Sequence, residues 1–365
     1  MRILHICNGY YDTKLYNLLI KNLEKLKVKN TIFVFLNKNS KVDKTEEKVS
    51  NVKIFNNIER IFYYWKQYKV FKVCENLYKP FDNVNLTHAH TTFSNGDIAY
   101  RIKKKWNIPY IVAVRNTDIN VFFKYIFFLR KRGIRILKES EKIIFLSPVY
   151  QKNFIEKYVP KNLKDIFEKK SIIIPNGIDE FWLKNQFLKN EFNSKKYIKL
   201  IYVGNVDKNK NISTTIKACK LLINRGYCVK FTIIGKLFLN KGILNESFIN
   251  YIPWIKKEDL IKYYRENDIF IMPSKYETFG LVYAEALSQS LPIIYSKDQG
   301  FDGQIPEGKV GYSVIYNDEL EIANKIEKIF KNQKNYLKNI PNQLNKFNWE
   351  NIAKEYKFIY SKILD

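Results

Sequence analysis

The chain has 365 residues, 46% of them hydrophobic, and a formal charge of +27. That length exceeds one ordinary core and suits two domains, and that apolar content excludes global disorder. No run of about 18 apolar residues is present, which excludes a membrane-spanning helix, and "MRILHICNGYY" lacks the apolar stretch and cleavage site of a signal peptide.

A short apolar strand, Ile3 to Ile6, opens the chain and leads into a loop around Gly9. A helical pattern through Leu15, Leu18, Leu19 and Leu23 follows, then a strand at Thr31 to Phe35. The pattern predicts a helix from Ile58 to Tyr78, a strand near Val84 to Ala89, a helix after Gly96 and a strand at Tyr110 to Val114. A further helix, broken at Gly133, precedes the buried strand Lys142 to Ser147. "IIIPNGID" ends this half in a turn, and the polar stretch Lys184 to Lys196 reads as a linker. The alternation restarts with "KLIYVG", "VKFTIIG", "DIFIMPS" and "LPIIYS", and closes on an amphipathic helix from Trp349 to Leu364.

Strands alternating with helices specify mostly parallel α/β sheets, here two of them. The expected architecture is a pair of doubly wound, Rossmann-like domains facing across a cleft. The last helix packs back on the first domain. The expected boundaries are 1–180, 181–348 and 349–365. Ligands of such sheets bind outside the carboxyl ends of the strands.

"SKYETFGLVYAEALSQSLP", residues 274 to 292, places two glutamates, Glu277 and Glu285, in an apolar segment with seven residues between them. Such segments seldom carry carboxylates without a use. Glu277 falls in a strand-to-helix loop, where Gly280 lets the backbone approach a ligand. The following helix offers its free N–H groups to a phosphate. There Glu277 can accept hydrogen bonds from sugar hydroxyls and Glu285, about two turns on, from ribose hydroxyls. The bland alternative is a pair of solvated helix charges.

These residues, with Phe279, Gly280 and Leu281, match the Glu–seven residues–Glu signature of retaining glycosyltransferases with the GT-B architecture. The chain resembles glycosyltransferase family 4 over most of its length, through "IIPNGID", "YVGNVDKNKNI", "IIG", "DIFIMPSKYETFGLVYAEALSQSLP" and "GKVGYSV". In the first half, "HAHTTFSNGDIAYRIKKKWNIPYIVAVRNTDIN" resembles bacterial members that build surface polysaccharides.

The resemblance implies a metal-independent, retaining transferase. It would move a sugar from a nucleoside diphosphate donor to a saccharide, lipid-linked, in capsular, exopolysaccharide or lipopolysaccharide synthesis. No further cofactor is implied. Family members carry Gly-Arg and then a lysine in "YVGNVDKNKNI", clamping the diphosphate. Lys210 matches the lysine, Asn205 replaces the arginine, and Lys208 is a flexible substitute for the missing guanidinium. The same family match makes His90 the histidine beside the reacting sugar, able to donate to or orient a hydroxyl.

Other features are less specific. His88 and His90 can share a strand face, but no third ligand at a useful spacing supports a metal site. A buried, hydrogen-bonded histidine is the bland reading for both. Arg115 and Asp118 can bind the acceptor or pair with each other. Gly9 stands alone where the family has a glycine pair, and no Gly-x-Gly-x-x-Gly fingerprint points to a nicotinamide cofactor. Four cysteines show neither metal nor disulfide spacing and read as reduced thiols.

The charge has two sources: the Lys/Asn/Ile bias of AT-rich coding, and an anionic partner. "IERIFYYWKQYKVFK" and "FFKYIFFLRKRGIRILK" mix aromatic and basic residues as interfacial segments do. The expected location is the cytoplasmic face of the membrane, peripherally attached. Two rival functions stand beside the transferase. One is a catalytically idle sugar-nucleotide sensor, which Asn205 favours. The other is a basic nucleic-acid-binding protein, against which the lack of a recognised stacking module argues.

Overall fold

The computed structural model describes residues 1–42, 47–192 and 196–365. β1 (Arg2–Ile6), β2 (Lys29–Asn37), β3 (Val49–Phe55), β4 (Leu86–Ala89), β5 (Tyr110–Ala113), β6 (Lys142–Phe145) and β7 (Ser171–Ile173) form one sheet in the order β3-β2-β1-β4-β5-β6-β7. β8 (Tyr197–Val203), β9 (Cys228–Ile234), β10 (Ile249–Ile252), β11 (Ile269–Met272), β12 (Ile293–Ser296) and β13 (Gly311–Val314) form a second, ordered β10-β9-β8-β11-β12-β13. Every pairing in both is parallel.

Each order is that of a doubly wound, Rossmann-like sheet, and each has one point where the winding reverses. In the first sheet it lies between β1 and β4; in the second, between β8 and β11. Central strands such as β4, β5, β11 and β12 are buried at every residue, as parallel strands covered on both faces must be.

The chain packs as two compact units. One comprises Met1–Leu146, Gln151–Ile174 and Trp349–Asp365; the other comprises Ser147–Tyr150 and Pro175–Asn348. The helix Trp349–Leu364 belongs to the first, where Trp349, Ile352, Tyr356 and Tyr360 pack with Leu19, Leu23, Ile111 and Ile144.

Three local expectations give way. The helix from Ile58 divides into Asn57–Ile61 and Tyr63–Tyr78, because Phe62 takes a non-helical ψ of 80°. The break turns Tyr63 inward, and its hydroxyl donates to the Phe93 carbonyl at 2.9 Å. Gly133 does not break a helix: it lies inside Arg130–Glu139, where an added Cβ would come within 2.6 Å of the Phe93 ring. Nor is 184–196 a free tether as far as its described residues go. Buried Lys189 donates to the Asn267 carbonyl and pairs with Asp268 at 3.0 Å, inside the second unit. No helix among the described residues is long and apolar enough to cross a membrane.

Candidate active site

In the second unit, the loops after β8 and β11 meet at the winding reversal. Asn209 ties them together: its Oδ1 accepts from Tyr276 N at 3.0 Å and its Nδ2 donates to Tyr276 O at 2.9 Å. Lys275 N donates to Asn209 O at 2.7 Å. Lys210 is thereby held against Glu277, with Nζ 2.5 Å from Oε2. The other carboxylate oxygen accepts Thr278 N at 3.0 Å. A third loop backs them, where Gln299 Oε1 accepts Glu277 N and Gly300 N donates to Glu277 O. Gly300 is required there, since a Cβ would stand 1.8 Å from the Thr278 carbonyl oxygen. Sequence reading missed Asn209, Gln299 and Gly300, whose roles depend on loops distant in the chain.

Gly280, at φ +72°, caps the helix Leu281–Ser288, and a Cβ there would strike the Tyr283 ring at 2.4 Å. It offers no side-chain cap, and its carbonyl accepts only the Tyr283 N–H, at 3.0 Å. Phe279 and Leu281 differ in role. The Phe279 ring is buried against Phe301 and Phe347, so only its backbone can face a ligand, whereas Leu281 is half-buried at the helix start. Asn205 and Lys208 are both exposed on the β8 loop.

Glu285 lies in a different neighbourhood from Glu277, because the helix begins only at Leu281 and helical spacing does not relate the two. Burial pushes its carboxyl up to about 7, reinforced by the Asp179 carboxylate and opposed by the Trp182 indole N–H and by Lys257. Lys257 itself pairs with Asp179 at 2.6 Å.

In the first unit, Gly9 follows β1 and His90 follows β4, again at the winding reversal. The register pairs His5 with His88, and all three histidines of the chain are buried together. The third neighbour that spacing did not offer is thus His5. One ligand nitrogen from each ring lies within 4.8 Å of the others. Hydrogen bonds already engage the cluster: Asn30 to His5, His5 to His90 and His88 to the Tyr360 hydroxyl. Burial lowers His5 to about 4 and holds His88 and His90 well below the usual histidine range, with Arg115 adding to the effect on the latter two. That positive neighbour disfavours a cation as well, so the donors read as a hydrogen-bonded relay.

Arg115 Nε donates to the His90 carbonyl at 3.4 Å. Asp118 is 2% exposed and its carboxylate accepts the N–H groups of Thr92, Phe93 and Arg115 at 2.9 to 3.1 Å. It anchors the loop after β4 and has little left for an acceptor. Burial pushes it up to about 6 against the pull of those donors and of Arg115.

The aromatic and basic segments form one exposed face of this unit. Ile61, Phe62, Trp65, Tyr125, Phe127 and Phe128 are each more than half exposed. Tyr63 and Phe122 join the two segments, their rings 6.5 Å apart. Lys131 and Arg135, on the helix Arg130–Glu139 that follows Phe127 and Phe128, are exposed. Arg132 is not available: it pairs with the fully buried Asp97 at 2.5 Å. Arg130 donates to the carbonyls of Phe123 and Lys124.

Residues 184–346 match the family described as glycosyl transferases group 1. The chain is 29% identical over 267 residues to the alpha-monoglucosyldiacylglycerol synthase of Acholeplasma laidlawii, covering 65% of each chain. It is 30% identical over 173 residues to the capsular polysaccharide biosynthesis glycosyltransferase CapM of Staphylococcus aureus, covering 43% of this chain and 44% of that one. The solved lipopolysaccharide outer core galactosyltransferase WaaB superposes with a TM-score of 0.74 at 15% identity, over 99% of this chain and 100% of the other.

Proposed function

We propose, for a chain that is a glycosyltransferase of GT-B fold related to family 4 and takes its sugar from a nucleoside diphosphate donor, that it acts with retention on a lipid-borne acceptor at an anionic membrane surface. The observation that carries the donor half is the Lys210–Glu277 pair at the winding reversal of the second sheet, beside the start of the Leu281–Ser288 helix. The costly charge in such a transfer develops on the departing diphosphate. Lys210 and the first-turn N–H groups are preorganised to stabilise it. Glu277 then receives sugar hydroxyls, and the Glu285 carboxylate receives those of the ribose. Retention follows if the acceptor attacks from the leaving-group face and a diphosphate oxygen takes its proton. Arg115 and His90 would serve the acceptor and the reacting sugar.

The membrane half is supported by the exposed aromatic face and by the exposed Lys131 and Arg135 on the helix that follows Phe127 and Phe128. The name of the Acholeplasma relative, which makes a glucosylated lipid, and that of the capsular relative agree with such an acceptor. The protein would then lie peripherally on the cytoplasmic face.

The test is donor hydrolysis by the purified protein across UDP-glucose, UDP-galactose, UDP-N-acetylglucosamine and GDP-mannose, followed by transfer to lipid extracts. Selective hydrolysis of one donor without added metal supports the reading. Binding without turnover of any donor, in the presence of acceptor, would replace the enzyme with a sensor.

A further inference from the structure

The break at Phe62 leaves two cations without a counter-ion. Arg60 stands in the last turn of Asn57–Ile61, and Lys66 closes the first turn of Tyr63–Tyr78, where its N–H donates to the Phe62 carbonyl at 3.0 Å. The carboxylates nearby are already taken. Glu59 pairs with Lys69 at 2.7 Å and accepts Asn56 N, and Asp97 is held by Arg101 and Arg132. Among the described residues Arg60 and Lys66 form no ion pair and no side-chain hydrogen bond. The Lys66 ammonium faces the Phe55 ring at the end of β3, with Nζ 5.3 Å from its centre.

Three costs fall on Lys66. It is 8% exposed with no anion beside it. Burial first, then the charge of Arg60, lowers its ammonium to about 8 against the pull of Asp97. The third is the positive end of the helix dipole, for no side chain caps this first turn and no acidic residue lies in it. Side chains of a helix lean toward its N-terminus, which aims Lys66 at those free N–H groups. Nζ is not among the partnerless polar atoms sealed from solvent, so the covered part of Lys66 is chiefly its stem. One anion seated at the break removes all three costs.

We infer that Arg60, Lys66 and the first-turn N–H groups of Tyr63–Tyr78 form a binding site for the phosphate group of a membrane lipid. It lies wholly in the first unit. The source of the phosphate is a lipid because exposed apolar residues surround the cations in the chain. Ile61 and Phe62 lie between them and Ile58 and Trp65 flank them, all four more than half exposed. Such side chains enter the acyl boundary, which sets the break at the level of the phosphate layer. A phenylalanine occupies the N-cap, where Ser, Thr, Asp or Asn would supply an oxygen; a phosphate oxygen takes that place. The inference rests on the membrane half of the reading above and names the lipid group that is recognised.

The test compares full-length wild type with Arg60→Gln and Lys66→Met on two sets of phosphatidylcholine vesicles. One set carries phosphatidic acid and the other oleic acid, at equal surface charge. Each variant should bind the phosphatidic acid vesicles at least about thirtyfold more weakly, having lost a charge-assisted hydrogen bond as well as a charge. On oleate vesicles the loss should be no more than about fivefold, the share of one surface cation. Equal losses on the two sets, or none, overturn the phosphate site. Without lipid, Lys66→Met should melt no lower than wild type, since it removes an unpaired buried charge; a lower melting temperature makes Lys66 a structural residue instead. Calorimetry with inorganic phosphate and with soluble dihexanoyl phosphatidic acid separates the sources. The lipid should bind at least about tenfold tighter, and equal affinity overturns the commitment to a lipid. No sugar donor is used, so failure of the transferase reading is seen separately in the hydrolysis panel.

Discussion

Lys210 Nζ and Glu277 Oε2 stand 2.5 Å apart, on loops 67 residues distant in the chain, and both side chains are mostly shielded from water, at 20% and 12% exposure. Each thus holds the other's charge until a donor arrives. On the proposed reading, a diphosphate drawing on Lys210 would loosen Glu277 for the sugar and so couple occupation of the two halves of the donor.

Glu277→Ala should lower kcat/KM at least about a hundredfold, the loss of a transition-state contact of ~3 kcal/mol, and Lys210→Ala should abolish turnover. Their effects on stability should be less than additive, with a coupling of about 1–3 kcal/mol in a double-mutant cycle by urea denaturation. Additive losses would show that the pair is not an interaction in solution.

Glu285 gives a pH signature. Its ordinary value of 4.5 is raised to about 7 by burial first and Asp179 second. Between those values the folded protein keeps a proton that the unfolded chain has released. Stability therefore falls as pH rises through that window and levels off above about 7. Glu285→Gln should remove this component and be more stable than wild type at pH 8, by no more than about 3 kcal/mol. Donor binding should run the other way in wild type, tightening as the carboxylate forms between pH 6 and 8, and Glu285→Gln should flatten it. Parallel calorimetric titrations at several pH values read this directly.

Membrane attachment should depend on the aromatic face. Trp65→Ser/Phe127→Ser/Phe128→Ser should stay folded, since all three are exposed, yet leave the floating fraction with anionic liposomes and lose activity on a lipid acceptor. Donor hydrolysis should persist. Wild type that stays at the bottom of the gradient at low salt would refute the attachment.

Among the neighbouring cations, Lys131→Glu and Arg135→Glu should weaken flotation without harm to the fold. Arg132→Glu is different in kind. It sets a carboxylate against the fully buried Asp97 and should destabilise the protein by about 3–5 kcal/mol. A thermal melt separates the two classes.

Asn205 is exposed on the loop after β8, where the family resemblance implies a guanidinium on the diphosphate. Asn205→Arg should fold normally and tighten UDP binding, measured by calorimetry; weaker binding would mean that the loop does not face the diphosphate.

Much of this was legible in the residues. Trp349–Leu364 has a clear amphipathic period and forms as read, and the apolar runs at β1, β4, β6, β8, β9, β11 and β12 announce themselves. β3, β7, β10 and β13 do not, because their sequences (VSNVKIF, SII, INYI and GYSV) are short or polar and become strands by pairing with neighbours already in place. Gly133 was read by propensity as a breaker, whereas the packed rings of Phe93 and Phe123 require its missing side chain. The Lys210–Glu277 contact was approachable through the motif. The His5–His90 contact was not, since only the β1–β4 pairing brings those rings together.

The return of Trp349–Leu364 to the first unit has a temporal consequence. Tyr360 places its hydroxyl 2.7 Å from His88 Nδ1, and Trp349, Ile352 and Tyr356 complete a core begun by Ile3 and Leu19. A chain leaving the ribosome thus exposes that apolar floor while some 170 intervening residues, 175–348, are made. The second unit has all of its major segment in hand before the first can close. Synthesis order and completion order are inverted, and the half that begins first stays unfinished until the final turns of helix emerge.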